Sequence, residues 1–157
     1  KILNKIDDDM LVCSNLDGRD FVRKLRQDGK TFTHVLMNLP ALGIEFLDVF
    51  VDGCMSDWPD DVELPLVHTY CFSKSPNPHK DVAERVEKVL GYNPIQNYEK
   101  DVRIVRDVAP NKLMLCAEFR LLKVGSGIKN DEKNKNNSTK RKLKNDVVGS
   151  DNKKTKK

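Results

Sequence analysis

Two polar residues, Asp17 and Asn38, stand where apolar runs of the sequence end. Asp17 closely follows the run "MLVCS", and Asn38 directly follows "FTHVLM". A carboxylate beside backbone N–H groups can accept a hydrogen bond from an exocyclic amine such as that of adenine. An amide both donates and accepts, which suits the edge of a guanine or another base. The two positions are therefore candidates for contacting nucleobases.

Both residues also have a purely structural explanation. Asp17 and Gly18 form a dipeptide that is typical of a turn, and an Asn at the end of a strand can cap the chain locally. Burying the Asn38 amide without hydrogen-bond partners would cost free energy, so this residue either caps the following turn or faces a ligand. The residues alone leave both alternatives open.

Metal-binding and nucleophilic residue types show no spacing that indicates a reactive site. The histidines are His34, His68 and His79, and the cysteines are Cys13, Cys54, Cys71 and Cys116. The scattered histidines are interpreted as structural. No Cys-x-x-Cys spacing occurs and three cysteines lie in apolar runs, which favours reduced, buried thiols over a disulfide or zinc framework. We predict no metal site.

The elements that would position Asp17 and Asn38 alternate between strands and helices. Apolar runs predict strands over residues 9–15, 32–37, 64–72, 101–108 and 112–121, with helices over 19–27, 40–53 and 77–91. This order predicts an α/β fold with a mostly parallel sheet, closed by an antiparallel hairpin. In such sheets ligands gather at the carboxyl ends of the strands, where both residues lie. Pro40 suits the first turn of the helix that follows Asn38.

Charge divides the chain into an acidic body and a basic tail. Residues 123–157 carry a net charge of +8, whereas residues 1–122 carry −4. The tail has almost nothing to bury, so we predict a folded domain over 1–122 and a disordered tail over 123–157. The tail's lysine clusters fit phosphate binding, a nuclear-localisation address or a solubilising end. No apolar run approaches the length of a membrane span.

Four segments of the chain resemble a known enzyme family. The segments are "LDGRDFVRKL", "HVLMNLPALGIEFLDVF", "LVHTYCFSK" and "VRDVAPNKLMLCAEFRL". In order and spacing they resemble the C-terminal half of the eukaryotic and archaeal tRNA (guanine-37 N1)-methyltransferases, over residues 1 to about 122. The resemblance implies the C-terminal part of a class I, Rossmann-like domain that transfers a methyl group from S-adenosylmethionine to N1 of guanosine 37 in tRNA.

The resemblance also implies roles for particular residues. Asp17, with Gly18, matches the acidic residue that contacts the cofactor's adenine. Asn38, Leu39 and Pro40 match an Asn-Pro-Pro-like motif that holds the target guanine beside the methyl donor, which makes Asn38 and Pro40 the catalytic candidates. Asn38 also contacts the cofactor in this reading. Leu39 departs from the commonest form of that motif.

Other parts of the family pattern have no match in this sequence. They are the Gly-rich cofactor loop, the acidic residue on the ribose, the general base and the RNA-binding domains, all of which precede the position of Lys1. We therefore expect a piece of a longer protein that, alone, neither binds the cofactor well nor methylates tRNA. A wybutosine-synthesis transferase of the same fold and a noncatalytic tRNA-binding remnant are the alternatives. We expect a monomer located in the cytoplasm, nucleus or mitochondrial matrix.

Overall fold

A computed structural model describes residue 7 and residues 10–123 of the chain. The strands are β1 (His34–Met37), β2 (Leu66–Ser73), β3 (Val102–Ala109) and β4 (Lys112–Arg120). The helices are α1 (Gly18–Gln27), α2 (Pro78–Leu90) and α3 (Tyr98–Asp101), together with a 3₁₀ helix at Glu45–Phe50. The predicted tail lies outside the described residues, apart from Lys123, so its disorder stays a prediction.

The four strands form one mixed sheet in the order β1-β2-β4-β3. β1 pairs with β2 in parallel, with His34 opposite Leu66 and Met37 opposite Thr69. β4 pairs antiparallel with both β2 and β3, so the closing hairpin inserts its second strand next to β2. The predicted α/β fold and its antiparallel hairpin are confirmed. A mostly parallel sheet is not found among the described residues, because β4 lies between β2 and β3 and makes two of the three pairings antiparallel.

The strand predicted over residues 9–15 is wrong for the part that the structure describes. Residues 10–15 form no strand. A strand is stable only when its backbone groups pair with a neighbour and its apolar face is covered. Met10 and Val12 are 76% and 79% exposed, so the residues described here provide no such cover.

The helix predicted over 40–53 forms only in part. The carbonyl of Leu39 accepts hydrogen bonds from the backbone N–H groups of Leu42 and Gly43, at 2.9 and 2.6 Å. Pro40 therefore lies in a tight turn before the 3₁₀ helix rather than in the first turn of an α-helix. The predicted apolar face is nevertheless largely buried, through Ile44, Leu47 and Phe50.

Helix α2 agrees closely with its predicted bounds because local residues determine both of its ends. The side chain of Asn77 accepts a hydrogen bond from the backbone N–H of Lys80 at 3.3 Å. Gly91 ends the helix in the left-handed conformation, with φ of 75°. The apolar face packs into the core beside the sheet, through Val82, Ala83, Val86 and Leu90.

Helix α1 buries a charged residue, Arg26, which is 5% exposed. Its guanidinium donates to the carbonyl of Lys30 at 2.6 Å and to the carboxylate of Asp57 at 2.9 Å. The same group lies 4.7 Å from the centre of the Trp58 ring. Arg26 thus ties α1 to the loop before β2, although the apolar spacing of α1 gave no sign of it.

The four cysteines are all free thiols, and two of them, Cys71 and Cys116, are buried. The predicted burial of the thiols in apolar runs holds for these two residues and is wrong for Cys13, which is exposed because residues 10–15 form no strand. Across the part of the chain that the structure covers, no helix is long and apolar enough to cross a membrane.

Candidate functional site

The turn that carries Asn38 is joined directly to the neighbouring strand. Asn38 follows the last residue of β1, and Met37 is paired with Thr69 of β2. Two residues further on, the carbonyl of Pro40 accepts a hydrogen bond from the backbone N–H of Phe72 at 3.2 Å. The hydrogen bonding between this segment and β2 therefore continues past the end of β1 and fixes the backbone on both sides of Asn38.

Gly43 allows this turn to approach β2 closely. A Cβ atom added at Gly43 would lie 2.8 Å from both the Thr69 hydroxyl oxygen and the Tyr70 carbonyl oxygen, closer than real Cβ contacts. The Thr69 hydroxyl is buried and has no hydrogen-bond partner among the described residues. Sequence reasoning missed Gly43, although a glycine inside a helix-like segment weakens the case for a helix there.

Asn38 is exposed, so the expectation that its amide is buried at the end of the strand is wrong. Its amide makes no hydrogen bond to any residue that the structure describes, so the turn is closed by backbone groups alone. The capping alternative is therefore without support in residues 10–123. The predicted contact with a guanine is not tested by this geometry and stays a prediction.

Asp17 has the structural role that its sequence context allows. It is the N-cap of α1, and its Oδ1 accepts a hydrogen bond from the backbone N–H of Arg19 at 2.9 Å. Arg19 in turn donates to both carboxylate oxygens of Asp48, at 2.7 and 3.0 Å, and these hydrogen bonds raise the pKa of the guanidinium. The start of α1 is thereby fixed to the 3₁₀ helix. The predicted adenine contact of Asp17 stays a prediction.

A cavity of about 630 Å³ brings some of the predicted residues together. Asp17, Gly18 and Leu39 line it, along with β1 and apolar residues of α1. Asn38 and Pro40 do not line it, although they flank Leu39. A Cβ added at Gly18 would lie 3.3 Å from the ring of Phe46 across the cavity wall. The structure thus places two of the three predicted cofactor residues, Asp17 and Gly18, at one cavity, whereas the third, Asn38, lies outside its lining together with Pro40.

The histidines support the structural interpretation in two cases. Nδ1 of His34 lies 3.1 Å from Nε2 of His68, and Nδ1 of His68 lies 3.0 Å from the carboxylate of Glu118. Glu118 also accepts from Arg103 at 3.1 Å, so a polar chain crosses all four strands. Within the described residues, no group of three or more His, Cys, Asp or Glu side chains could hold a metal ion.

Curated proteins from distant eukaryotes are similar to this chain. The chain is 46% identical over 119 residues to a tRNA (guanine(37)-N(1))-methyltransferase of Phytophthora infestans, covering 76% of this chain and 28% of that protein. The proteins of the same name from Danio rerio and Homo sapiens are 46% and 42% identical, again over 76% of this chain, and 26% and 25% of their own lengths are covered. The chain thus spans about a quarter of the length of the relatives it matches.

The other two comparisons are less informative. No family model matches the chain. Among solved structures, wild-type Trm5b from Pyrococcus abyssi aligns over 55% of this chain and 24% of its own, with 23% identity and a TM-score of 0.38. The sequence identities are the finding that identifies relatives: over three quarters of its length, this chain is homologous to a segment of the tRNA (guanine(37)-N(1))-methyltransferases.

Proposed function

We propose that this chain forms part of an S-adenosylmethionine-dependent enzyme that methylates N1 of guanosine 37 in tRNA. The observation that carries the proposal is the 42% to 46% identity to tRNA (guanine(37)-N(1))-methyltransferases over 76% of this chain. The exposed Asn38 amide, on a turn held by backbone hydrogen bonds, is the group that we propose for contact with the guanine. An amide presented in this way can donate to and accept from the edge of a guanine. The names of the relatives support the same reaction.

The residues around the cavity fit the adenosine end of S-adenosylmethionine. A volume of about 630 Å³ falls within the range of small-molecule sites. Asp17 uses Oδ1 for the α1 cap, which leaves its other oxygen to accept from an adenine amine. The apolar side chains of Leu16 and Leu39 can pack against the face of a base. When bound, the cofactor supplies a methyl group on a sulfonium.

The task of this chain in methyl transfer is positioning. Methyl transfer to guanine N1 would require the base to be held in line with the methyl donor at close distance. Asn38 would fix the guanine edge, and the Pro40–Phe72 hydrogen bond would fix Asn38. The N1 proton must also be removed, and we assign that step to no residue of the described chain.

A chimera tests this proposal. The homologous segment of the Danio rerio protein is replaced with this chain, and methylation of an unmodified tRNA transcript is measured with labelled methyl donor. We expect the unsubstituted chimera to methylate guanosine 37. Asn38→Ala should slow single-turnover methylation at least about tenfold, because a positioning hydrogen bond is worth on the order of 1 to 3 kcal/mol.

Leu42→Ala is the matched control, because Leu42 is exposed in the same turn and does not line the cavity. It should leave the rate nearly unchanged. An inactive unsubstituted chimera would contradict the proposed function. An Asn38→Ala chimera as fast as the unsubstituted one would instead remove Asn38 from the site.

A further inference from the structure

A second cavity, of about 700 Å³, opens at the end of the sheet where β1, β2 and β3 finish, and Asn38 directly follows β1 at that end. We call it the hairpin groove. One wall contains Ser73, the last residue of β2, and Ser75 beyond it. The other contains Asn111 in the β3–β4 turn and Lys112, the first residue of β4. The proposed function leaves this groove unused.

Phe72 connects the hairpin groove to the Asn38 turn. Its backbone N–H donates to the carbonyl of Pro40 at 3.2 Å, and its ring lies 4.0 Å from the ammonium nitrogen of Lys112. The next residue, Ser73, forms part of the groove wall. A ligand held at Asn38 and extending along this end of the sheet would therefore reach Lys112 across a single side chain.

The groove presents the groups that an RNA backbone needs. Lys112 is a cation held over an aromatic ring, a placement that limits its freedom. The half-buried Ser75 accepts a hydrogen bond from the backbone N–H of Asn77 at 3.1 Å, which leaves its hydroxyl proton to donate to a phosphate oxygen. The wall also contains Asp107, whose carboxylate can accept from a ribose 2′-hydroxyl.

We propose that the hairpin groove binds the RNA backbone next to the target guanine, with Lys112 on a phosphate. The inference rests on the proposed function for the direction in which the RNA runs. A base that faces Asn38 must leave its stack, and the backbone that carries it then needs contacts outside the helix. The hairpin groove can supply these contacts, and it begins at Ser73, the residue after Phe72, whose amide is hydrogen-bonded to Pro40.

The test measures the affinity of the 157-residue chain for an unmodified tRNA transcript over a series of salt concentrations. Lys112→Ala should weaken binding severalfold and reduce the slope of log affinity against log salt by about one, the loss of one phosphate contact. Lys112→Arg keeps the charge and should keep the slope. Lys88→Ala, an exposed lysine in the last turn of α2, is the control and should change neither quantity.

An unchanged slope in Lys112→Ala overturns the inference, and so does a chain that does not bind the transcript. Equal losses in Lys112→Ala and Lys112→Arg would also overturn it, because charge would then not be the cause. The chimera separates the two proposals. An inactive chimera with a reduced Lys112→Ala slope refutes the methyltransferase proposal alone, whereas an active chimera with an unchanged slope refutes the groove alone.

Discussion

Arg26 is the buried residue that attaches the end of α1 to the loop before β2. Replacing it with Ala removes its hydrogen bonds to Lys30 and Asp57 and its contact with the Trp58 ring. We expect Arg26→Ala to lower the free energy of unfolding by about 2 to 4 kcal/mol, since buried charged hydrogen bonds and cation–π contacts are each worth on the order of 1 to 3 kcal/mol. Urea denaturation measures the change.

Lys24→Ala is the control on the same helix. Lys24 is exposed, and its ammonium lies 3.4 Å from the carboxylate of Asp28. Surface pairs of this kind are worth roughly 0 to 1 kcal/mol, so this variant should unfold almost as the unsubstituted chain does. Similar losses in the two variants would show that burial of Arg26 adds nothing.

Cys71 makes stability depend on pH on the alkaline side. Burial raises the pKa of its thiol from 9.0 to about 12. Between these values the unfolded chain has lost the proton that the folded chain keeps, so stability must fall as pH rises above about 9. From pH 8 to 10, Cys71→Ala should lose about 1 kcal/mol less stability than the unsubstituted chain.

The measurement is urea denaturation of both proteins at pH 8 and pH 10, under reducing conditions. Cys13→Ala is the control, because Cys13 is exposed. It should respond to pH as the unsubstituted chain does. Parallel losses in Cys71→Ala and the unsubstituted chain would mean that the thiol ionises as readily in the folded state as in the unfolded state.

Residue-level prediction from sequence succeeded where the cause was local. The Asp-Gly dipeptide indicated a turn, and Asp17 indeed caps α1. Arg26 was missed because spacing analysis treats every arginine as a solvent-facing residue, whereas its burial depends on Trp58, far along the chain. The position of Asn38 followed from the end of an apolar run. Its proposed ligand did not, since only the family resemblance supplied one.

At the level of elements, packing against β2 determines the conformation of the turn over residues 39–43. Gly43→Val would place side-chain atoms against Thr69 and Tyr70, where even a Cβ is too close. Overpacking of this kind typically costs about 1 to 3 kcal/mol. We expect the turn to move off β2 and the Phe72–Pro40 hydrogen bond to break, which hydrogen exchange of the Phe72 amide would detect as lost protection.

Ala41→Val tests whether any larger residue in this turn has the same effect. Ala41 is exposed, so its replacement should leave the Phe72 amide protected. Continued protection in Gly43→Val as well would mean that the turn can shift without releasing β2. The close approach would then be a matter of packing preference alone.

The elements show the same division between local and distant causes. α2 was predicted within a residue or so because Asn77, Pro78 and Gly91 determine its ends locally. The helix expected from Pro40 was not, since a proline fits a turn as well as a first helical turn, and the choice depends on β2. The expected strand over 9–15 needs a partner strand, which the described residues do not offer.

For the whole molecule, charge is the property that bears most on function. Residues 1–122 carry a net charge of −4, so their overall field repels RNA. Any RNA contact made by this part must come from locally placed cations, which is the situation proposed for Lys112. The net charge of +8 over residues 123–157 adds attraction that does not depend on sequence.

The polar chain from Arg103 through Glu118 and His68 to His34 has a consequence for how the protein folds. Its members come from all four strands, and the two histidines alone are 34 residues apart. Contacts between such distant residues form only after the intervening loops have closed. This row of four polar side chains can therefore be complete only after the β3–β4 hairpin has paired with one side of β2 and β1 has paired with the other side. The His68 ring contacts both the β1 side and the β4 side of β2, so its environment would report when the last strand pairing of the sheet forms.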